Sequence, residues 1–523
     1  MNTFAQAMSE EAVKTFTENG AVALETSGDA NLDFFGRAGG MRGNPDIAAV
    51  YRKAMDEDLG LAVKNLFFLR DIRNGSGERD SFISCFRQLA ERLTDAQFEA
   101  AIEFIPEYGR WSDLFAVLRG MPQNRFESAC AFVRGQVEKD YARMQEGKGV
   151  SLLAKWFPLA NNRHNPEAIR WARRISAECF GSERNARKMI VPLRRHIGVL
   201  EQLLSANEWD KVEYSKIPSA AGMKYRQAFY KHDGERYTSW LSSVERGEAK
   251  MNAGAVMPYD LVRKAAASDT GNDPALDLMW KNLPDWTNGS SSIVVADVSG
   301  SMYGGFASDS ASAPAPIYVS TSLAMYFAEK CRGPFKDMTI TFSEQPKCYH
   351  LDSEDTIRER FLKLEREGGL NTDIEQVFEM YIQLAKDAKP EDCPKNLVII
   401  SDMEFDAIDQ SVVNAYGGYV RFNDAAVKKA WHRKETLFKS VDKMFKEAGV
   451  ERPTLVFWNC NSRNANVPVS KDEFGTVLVS GFSPTMFQYI VEGDINPIKF
   501  MLNVLANYDC ILERMGILDK KEV

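Results

Sequence analysis

The stretch IVVADVSGSMYG, residues 293–304, joins an apolar run directly to a group of oxygen-bearing side chains. Asp297, Ser299 and Ser301 alternate along it, and Gly300 separates the two serines. One carboxylate and two hydroxyls on a tight turn can all face a single centre. Hard oxygen donors of this kind suit Mg²⁺, Mn²⁺ or Ca²⁺ better than zinc. The stretch therefore predicts one part of a divalent-cation site.

Two other segments supply further oxygen atoms. GGLNTD ends in Thr372 and Asp373 just before a predicted helix, and IISDMEFD places Ser401 and Asp402 after an apolar run. Taken singly, each segment is equally typical of a helix N-cap or a serine-rich turn. Their joint occurrence at strand and helix ends favours a metal site.

Strands and helices alternate after residue 292, which predicts a doubly wound, mainly parallel sheet covered by helices. Ligands in such folds bind at the carboxyl ends of the strands, so the three oxygen-rich segments are expected to meet there. The predicted strands are 291–297, 337–343, 347–351, 396–402, 453–461 and 477–481. The predicted helices are 317–331, 353–365, 373–388, roughly 424–448 and 495–508.

The chain before residue 260 has apolar residues three and four positions apart, with short breaks between the runs, which predicts stacked helical pairs. No strict repeat period is present, so an irregular HEAT-like array is expected. The Gly-, Asn- and Asp-rich start predicts an extended arm over 1–45. We therefore expect an all-α domain over 46–285 and a sheet domain over 290–523, joined by a Pro-, Gly- and Ser-rich connection.

Charge is unevenly distributed along the chain. Residues 291–523 hold 26 Lys or Arg against 34 Asp or Glu and so carry the whole net charge of −8. Residues 151–200 hold ten basic and three acidic residues, which indicates a local anion-binding face. The candidate nucleic-acid-binding residues are Arg170, Arg173, Arg174, Arg187, Lys188, Arg194, Arg195, His196, Lys224 and Arg226.

Residues 214–233 interleave basic residues with Tyr and Phe. Basic side chains neutralise phosphates and aromatic rings stack on unpaired bases, a combination suited to single-stranded RNA. The alternative is a solvated, salt-bridged helix surface, and charge alone favours that alternative.

The eight cysteines and five histidines are scattered and include no CxxC pair, so a disulfide framework or a zinc site has little support. No apolar run is long enough to span a membrane, and the first residues do not resemble a secretory signal. These features predict a cytoplasmic protein with free thiols.

The D-x-S-x-S turn, the later threonine and the later aspartate together resemble the metal-ion-dependent adhesion site (MIDAS) of a von Willebrand factor A domain. The resemblance implies that Asp297, Ser299, Ser301 and Thr372 bind the ion directly or through water, and that Asp402 either binds through water or tunes the residues around the ion. It also implies an open position for a carboxylate from a protein partner. One departure is a Gly-, Ser-, Ala- and Pro-rich insertion after Met302, which either covers the site or is a solvated loop.

Helices followed by such a domain resemble the Ro autoantigen and its bacterial relatives, and more closely a Ro-related family of plants, bacteria, phages and large viruses. The resemblance implies a TROVE-like helical domain that closes into a ring. It also implies binding of small structured noncoding RNAs and of single-stranded ends of misfolded RNAs. The motifs that carry it are LRDIRNGSGERD (69–80), SLLAKWFP (151–158), YSKIPSAAGMKYRQAF (214–229), GEAKMNAGAVMPYDLVRK (247–264), DVSGSM, NTD and SDMEFD.

The sequence thus predicts a non-catalytic, cytoplasmic RNA-binding protein of the Ro type that carries Mg²⁺, or else Mn²⁺ or Ca²⁺. A second hypothesis is a scaffold that captures a partner's carboxylate at the metal and binds protein through its helices. A third is a metal-dependent hydrolase in which Glu404 or Asp406 activates a metal-bound water.

Overall fold

A computed structural model describes residues 13–19, 21–161, 165–268, 271–287, 289–304, 314–343, 345–366, 369, 372–405, 437–490 and 495–517. Parts of several predicted features lie outside these ranges. They include residues 1–12 of the arm, residues 305–313 of the insertion after Met302, residues 370–371 of GGLNTD, residues 424–436 of the predicted long helix, and Asp406.

Helices dominate the chain before residue 290, as the apolar spacing predicts. They are α1 (Ala30–Arg37), α2 (Ile47–Glu57), α3 (Leu59–Arg70), α4 (Asp80–Arg92), α5 (Asp95–Tyr108), α6 (Trp111–Val117), α7 (Gln123–Gln145), α8 (Leu153–Trp156), α9 (Pro166–Phe180), α10 (Glu183–Ile197), α11 (Leu200–Ser205), α12 (Ser219–Glu245), α13 (Pro258–Ala266) and α14 (Pro274–Lys281). A hairpin of β1 (Lys14–Phe16) and β2 (Val22–Leu24) precedes them.

Strands and helices alternate in the rest of the chain. The strands are β3 (Ser292–Asp297), β4 (Met338–Phe342), β5 (Lys347–His350), β6 (Asn396–Ser401), β7 (Thr454–Asn459) and β8 (Thr476–Ser480). The helices are α15 (Pro316–Lys330), α16 (Ile357–Glu365), α17 (Glu375–Lys386), α18 (Leu437–Ala448), α19 (Pro497–Leu505) and α20 (Asp509–Met515). Across the described ranges, no helix combines the length and the apolar composition needed to cross a membrane.

The six strands form one sheet in the order β5-β4-β3-β6-β7-β8, in which only the β4–β5 pair is antiparallel. The prediction of a helical region followed by a mainly parallel sheet is confirmed. β3 and β6 are neighbours, and Ala296 lies opposite Ile400. Asp297 and Ser401 therefore end adjacent parallel strands at the same edge of the sheet, as the strand pattern predicts.

The chain divides into two compact units that interleave along the sequence. A sheet unit contains the described residues of Met1–Glu57, Asn74–Ser76 and Val256–Ala506. A helical unit contains those of Asp58–Arg73, Gly77–Ala255 and Asn507–Val523.

The described residues of the predicted extended arm over 1–45 differ from the expectation, because they form β1, β2 and α1. Asp29 caps α1 by accepting a hydrogen bond from the Leu32 amide, and α1 packs against β8 within the sheet unit. The glycines that suggested a loop allow close packing instead. A Cβ atom on Gly39 would lie 2.6 Å from the backbone of Gly481, so only glycine fits there.

The predicted boundary near residues 285–290 also differs, because the sheet unit takes up the chain again at Val256. Helix α13 packs on α15 and α16. The Trp280 indole donates a 2.6 Å hydrogen bond to Glu329, which also pairs with the buried Arg360 at 2.6 Å. The sequence pattern assigned α13 and α14 to the helical array, because apolar spacing predicts a helix without showing which element it packs against.

A buried ion-pair network organises the helical unit. The Asp113 carboxylate is fully buried and accepts hydrogen bonds from Arg70 Nη2 at 2.6 Å and Arg79 Nε at 2.8 Å. Arg70 is itself buried, and its burial lowers the pKa of the guanidinium. Removal of the carboxylate would leave a buried cation without its counterion.

Asp113→Ala is therefore expected to lower the free energy of unfolding of the full chain by about 3–5 kcal/mol. Urea denaturation followed by far-UV circular dichroism measures the change. Glu146→Ala is the control, because Glu146 pairs with Lys148 at 2.7 Å on the exposed surface and should cost less than about 1 kcal/mol. Equal effects of the two substitutions would contradict the importance of the buried network.

Candidate metal centre and nucleic-acid interface

The Asp297 carboxylate is the centre of a polar cluster at the carboxyl edge of the sheet. Asp297 is fully buried; its Oδ1 accepts a 2.9 Å hydrogen bond from the Ser299 amide and its Oδ2 a 2.6 Å bond from the Ser401 hydroxyl. The Ser299 and Ser301 hydroxyls lie 3.1 Å apart. Ser301 also hydrogen-bonds to Asp402. Four of the five predicted metal-binding residues, Asp297, Ser299, Ser301 and Asp402, are thus connected.

Thr372 is the fifth predicted residue, and it is buried on the neighbouring loop. The Gly300 amide donates a 2.8 Å hydrogen bond to the Gly369 carbonyl, which ties the serine turn to that loop. The Thr372 hydroxyl lies 3.5 Å from the side-chain amide of Asn19. The contacts therefore connect Thr372 to the cluster through backbone and through Asn19.

The turn after β6 directs Asp402 into this cluster. Met403 has a φ of 65°, a left-handed conformation that non-glycine residues seldom adopt, and its amide bonds to the Ser401 hydroxyl at 3.0 Å. Asp402, which lies between these two residues, is buried.

Two buried carboxylates side by side carry an electrostatic cost. Burial and the neighbouring Asp402 raise the pKa of Asp297 to about 7. Burial also raises the pKa of Asp402, and Arg463 opposes that rise through a 2.7 Å ion pair. Arg463 follows β7, the strand next to β6, and sequence reasoning missed it because its segment was interpreted only as a strand end.

The donor set fits a hard divalent cation. The cluster offers carboxylate and hydroxyl oxygens, and a bound cation would offset the repulsion that raises the pKa of Asp297. In the part of the chain that the structure describes, no group of three or more His, Cys, Asp or Glu side chains is arranged for a metal. An ion here would consequently depend on the serine and threonine hydroxyls as well as on the two aspartates.

The N-terminal segment, residues 13–24, lies against this site. The Glu18 amide donates a 2.6 Å hydrogen bond to Glu404 Oε2, and the Asn19 side chain donates one of 2.6 Å to the Glu404 carbonyl. The Glu18 carboxylate lies 3.2 Å from Arg463. Sequence reasoning gave this segment no role, since nothing in its composition indicates which surface it contacts.

Glu404, a candidate general base in the sequence, has its carboxylate fully engaged. Besides the Glu18 amide, it accepts 3.0 Å hydrogen bonds from the side-chain amides of Asn464 and Asn466. Glu404 is buried, and its burial raises the pKa of the carboxyl. Its contacts fix the N-terminal segment and the loop after β7, which is a structural role.

The basic residues lie on two packed helices of the helical unit, α9 and α10. Arg170, Lys188 and Arg195 are exposed and have no ion-pair partner among the described residues, and Arg173 has only a 3.8 Å contact with Glu183. Positions 184, 188 and 195 share one face of α10, because their spacings are close to whole numbers of helical turns. These side chains are available to an anionic ligand.

Other predicted basic residues make contacts within the protein. Arg194 donates 2.7 Å hydrogen bonds to the carbonyls of Ala154 and Phe157, and Arg187 pairs with Glu183 at 2.8 Å. Arg174 lies over the Phe126 ring, and His196 contacts the Lys148 carbonyl at 2.9 Å. These four residues stabilise the structure beneath the basic surface and are less available to a ligand.

Lys224 and Arg226 lie on a separate helix, α12. Lys224 is exposed beside Tyr225, and Arg226 is half-buried with one hydrogen bond to the Met223 carbonyl. The aromatic residues predicted to stack on bases differ from the expectation, because Tyr214 and Phe229 are buried and pack together at 5.3 Å. Two of the four Tyr and Phe rings in 214–233 are therefore buried, and Tyr225 and Tyr230 are half-buried.

Comparisons with known proteins agree with a two-part chain. Residues 291–500 match the model of a domain of unknown function (DUF7788). Residues 17–93 and 172–290 match that of another domain of unknown function (DUF2828). The second match includes segments on both sides of the predicted boundary of the arm.

One relative extends over nearly the whole chain. "Uncharacterized protein L728" of Acanthamoeba polyphaga mimivirus is 29% identical over 534 residues, which is 94% of this chain and 87% of the relative. Among solved structures, the Ro (RSR) protein of Deinococcus radiodurans matches 90% of this chain and 93% of its own, with 13% identity and a TM-score of 0.37.

Glu404→Ala is expected to release the N-terminal segment, because it removes the acceptor of the Glu18 amide and of two asparagine side chains. Loss of hydrogen bonds to a buried carboxylate should speed amide exchange of the peptide 13–24 by about 10- to 100-fold. Hydrogen–deuterium exchange with mass spectrometry measures this on the full chain. Glu379→Ala, an exposed glutamate of the same unit, is the control. Unchanged exchange in Glu404→Ala would show that other contacts hold the segment.

Proposed function

We propose that this protein binds RNA through the exposed basic face of α9 and α10, and that a divalent cation occupies the Asp297 cluster of the sheet unit. The observation that carries the first part is that Arg170, Lys188 and Arg195 are exposed without counterions among the described residues. Unpaired like charges on one surface repel one another, and a polyanion that neutralises them is therefore favoured there.

The proposed surface has internal support. Arg194, Arg187 and His196 fasten the segment before α9 to α10, so the exposed cations stand on a fixed framework. A fixed array loses little entropy when phosphates bind. We propose RNA of the Ro type as the ligand, small noncoding RNA or single-stranded ends, on the sequence motifs described above.

The proposed ion site is supported by its donor chemistry. Asp297, Ser299, Ser301, Thr372 and Asp402 would hold Mg²⁺, or else Mn²⁺ or Ca²⁺, and the ion would supply positive charge that the two buried aspartates lack. Within the protein, Ser401 orients Asp297 and Arg463 orients Asp402. We propose that this site docks a carboxylate of a protein partner and has no catalytic role, since Glu404 is engaged by the fold.

Changing Arg170, Lys188 and Arg195 together to Glu is expected to weaken binding of RNA about tenfold or more, because three phosphate contacts become repulsive. The slope of log affinity against log salt concentration should become less negative by about two, since each of the three contacts to a single strand contributes about −0.7. Fluorescence anisotropy with labelled oligouridylate measures both quantities.

The matched control changes Lys336, Lys443 and Lys446 to Glu, three exposed lysines of the sheet unit. It alters net charge equally and should leave the affinity within about twofold. Equal losses of affinity in the two variants would show that net charge alone, not the basic face, determines binding. Absence of binding by the wild-type chain would refute the RNA proposal.

Mn²⁺ at about 100 times its dissociation constant is expected to stabilise the wild-type chain by about 2.7 kcal/mol, a rise in melting temperature of several degrees. Asp297→Ala should abolish the rise, and Ser299→Ala should reduce it. Asp373→Asn is the control, because the Asp373 carboxylate caps α17 through the Glu375 and Gln376 amides. A rise that persists in both Asp297→Ala and Ser299→Ala would place the ion elsewhere.

A further inference from the structure

An exposed aromatic side chain stands beside the basic face. Among the described residues of the helical unit, the exposed large apolar side chains are Leu152 and Trp156, with 52% and 37% of their surfaces accessible. They are four positions apart in one short segment. An exposed apolar pair next to unpaired cations needs an explanation, because solvation alone would favour polar residues there.

Hydrogen bonds from α10 fix the segment that carries Trp156. Arg194 binds the carbonyls of Ala154 and Phe157, on either side of Trp156, and Arg187 binds the Asn161 side chain at 2.8 Å. Because Arg187 and Arg194 are two helical turns apart, the segment follows the basic helix over about 10 Å. Phe157 anchors it from within, since that ring is buried and packs edge-on against Phe115 and Phe180.

Positive charge lies beside the exposed ring and along the helix that holds its segment. The Lys155 ammonium lies 5.6 Å from the centre of the Trp156 ring. Lys188 and Arg195 are exposed on α10, each one position after an arginine that binds the segment. The surface therefore combines a rigid aromatic plane with cations spaced along a helix, which matches a nucleotide's base and phosphates respectively.

We infer that Trp156 is a stacking platform for an unpaired nucleobase, with Leu152 beside it, while Lys188 and Arg195 bind the flanking phosphates. This inference rests on the proposed RNA binding and specifies its ligand as a strand with unpaired bases. Trp156 also takes the role that the sequence suggested for the aromatic residues of 214–233, of which Tyr214 and Phe229 are buried.

The test uses the full chain and three fluorescein-labelled probes of equal length: 12-nucleotide oligouridylate, an abasic ribose-phosphate 12-mer, and a 12-base-pair RNA duplex. Trp156→Ala should weaken binding of oligouridylate about 5- to 100-fold, the range measured for loss of one stacked base. It should leave the affinity for the abasic strand and the duplex within about twofold, because those probes offer no unpaired base.

Two variants serve as controls. Trp156→Phe keeps an aromatic plane and should bind oligouridylate within about fivefold of the wild-type chain. Phe474→Ala removes an exposed aromatic ring from the sheet unit and should change no affinity. Labelling with 5-fluorotryptophan adds a direct measurement, since the ¹⁹F signal missing from Trp156→Phe should shift with oligouridylate and stay in place with the abasic strand.

The outcomes separate this inference from the function on which it rests. Wild-type affinity of Trp156→Ala for oligouridylate, with loss of binding in the Arg170, Lys188 and Arg195 variant, would overturn the stacking role and keep RNA binding. Equal weakening toward the abasic strand and oligouridylate would also overturn it, by showing that Trp156 only shapes the surface. Failure of the wild-type chain to bind any probe would refute both proposals.

Discussion

The burial of the Asp297 carboxylate is the constraint on which the polar carboxyl edge of the sheet depends. A charged group without water must be matched by hydrogen bonds and by opposite charge. The surrounding residues meet the first need through the Ser299 amide and the Ser401 hydroxyl. The second is met only indirectly, because Arg463 pairs with Asp402 and leaves Asp297 with a raised pKa. The divalent cation that we propose for this site would supply the missing positive charge.

The position of this edge was predictable from sequence. The residues that reach it from distant segments of the chain were not. Apolar strands that end in polar residues revealed the sheet, the strand ends and four connected oxygen donors, because side-chain type and strand period are local properties. Arg463, Glu18 and Asn19 reach the site from segments far away in sequence, and nothing local distinguishes them from other surface residues. The same limitation hid helix α1, because Gly39 and Gly40 directly after it resemble a loop until the backbone of Gly481 is seen against Gly39 and that of Ser462 against Gly40.

The basic segment 151–200 shows that residues of one charge can have two different roles. Arg194 and Arg187 lie on the side of α10 toward the segment 153–161 and hold it in place. Lys188 and Arg195, one position away from each, are exposed to solvent. Sequence reasoning treated these residues as one group because the net charge of a segment does not record where side chains point. Once the segment is helical, neighbouring residues point in directions about 100° apart, and the two pairs of side chains separate.

The interleaving of the two units has a consequence for synthesis on the ribosome. The hairpin and α1 emerge first, yet β8, against which α1 packs, ends at Ser480, so the first helix waits for more than four hundred residues before its partner exists. The helical unit waits too, since α20 packs on α3 and α5. The sheet unit is incomplete until β8 and α19 have been synthesised and the helical unit until α20 has been, and α1 lacks its partner strand during that interval. Such a chain depends on chaperones during translation more than one whose domains follow each other in order.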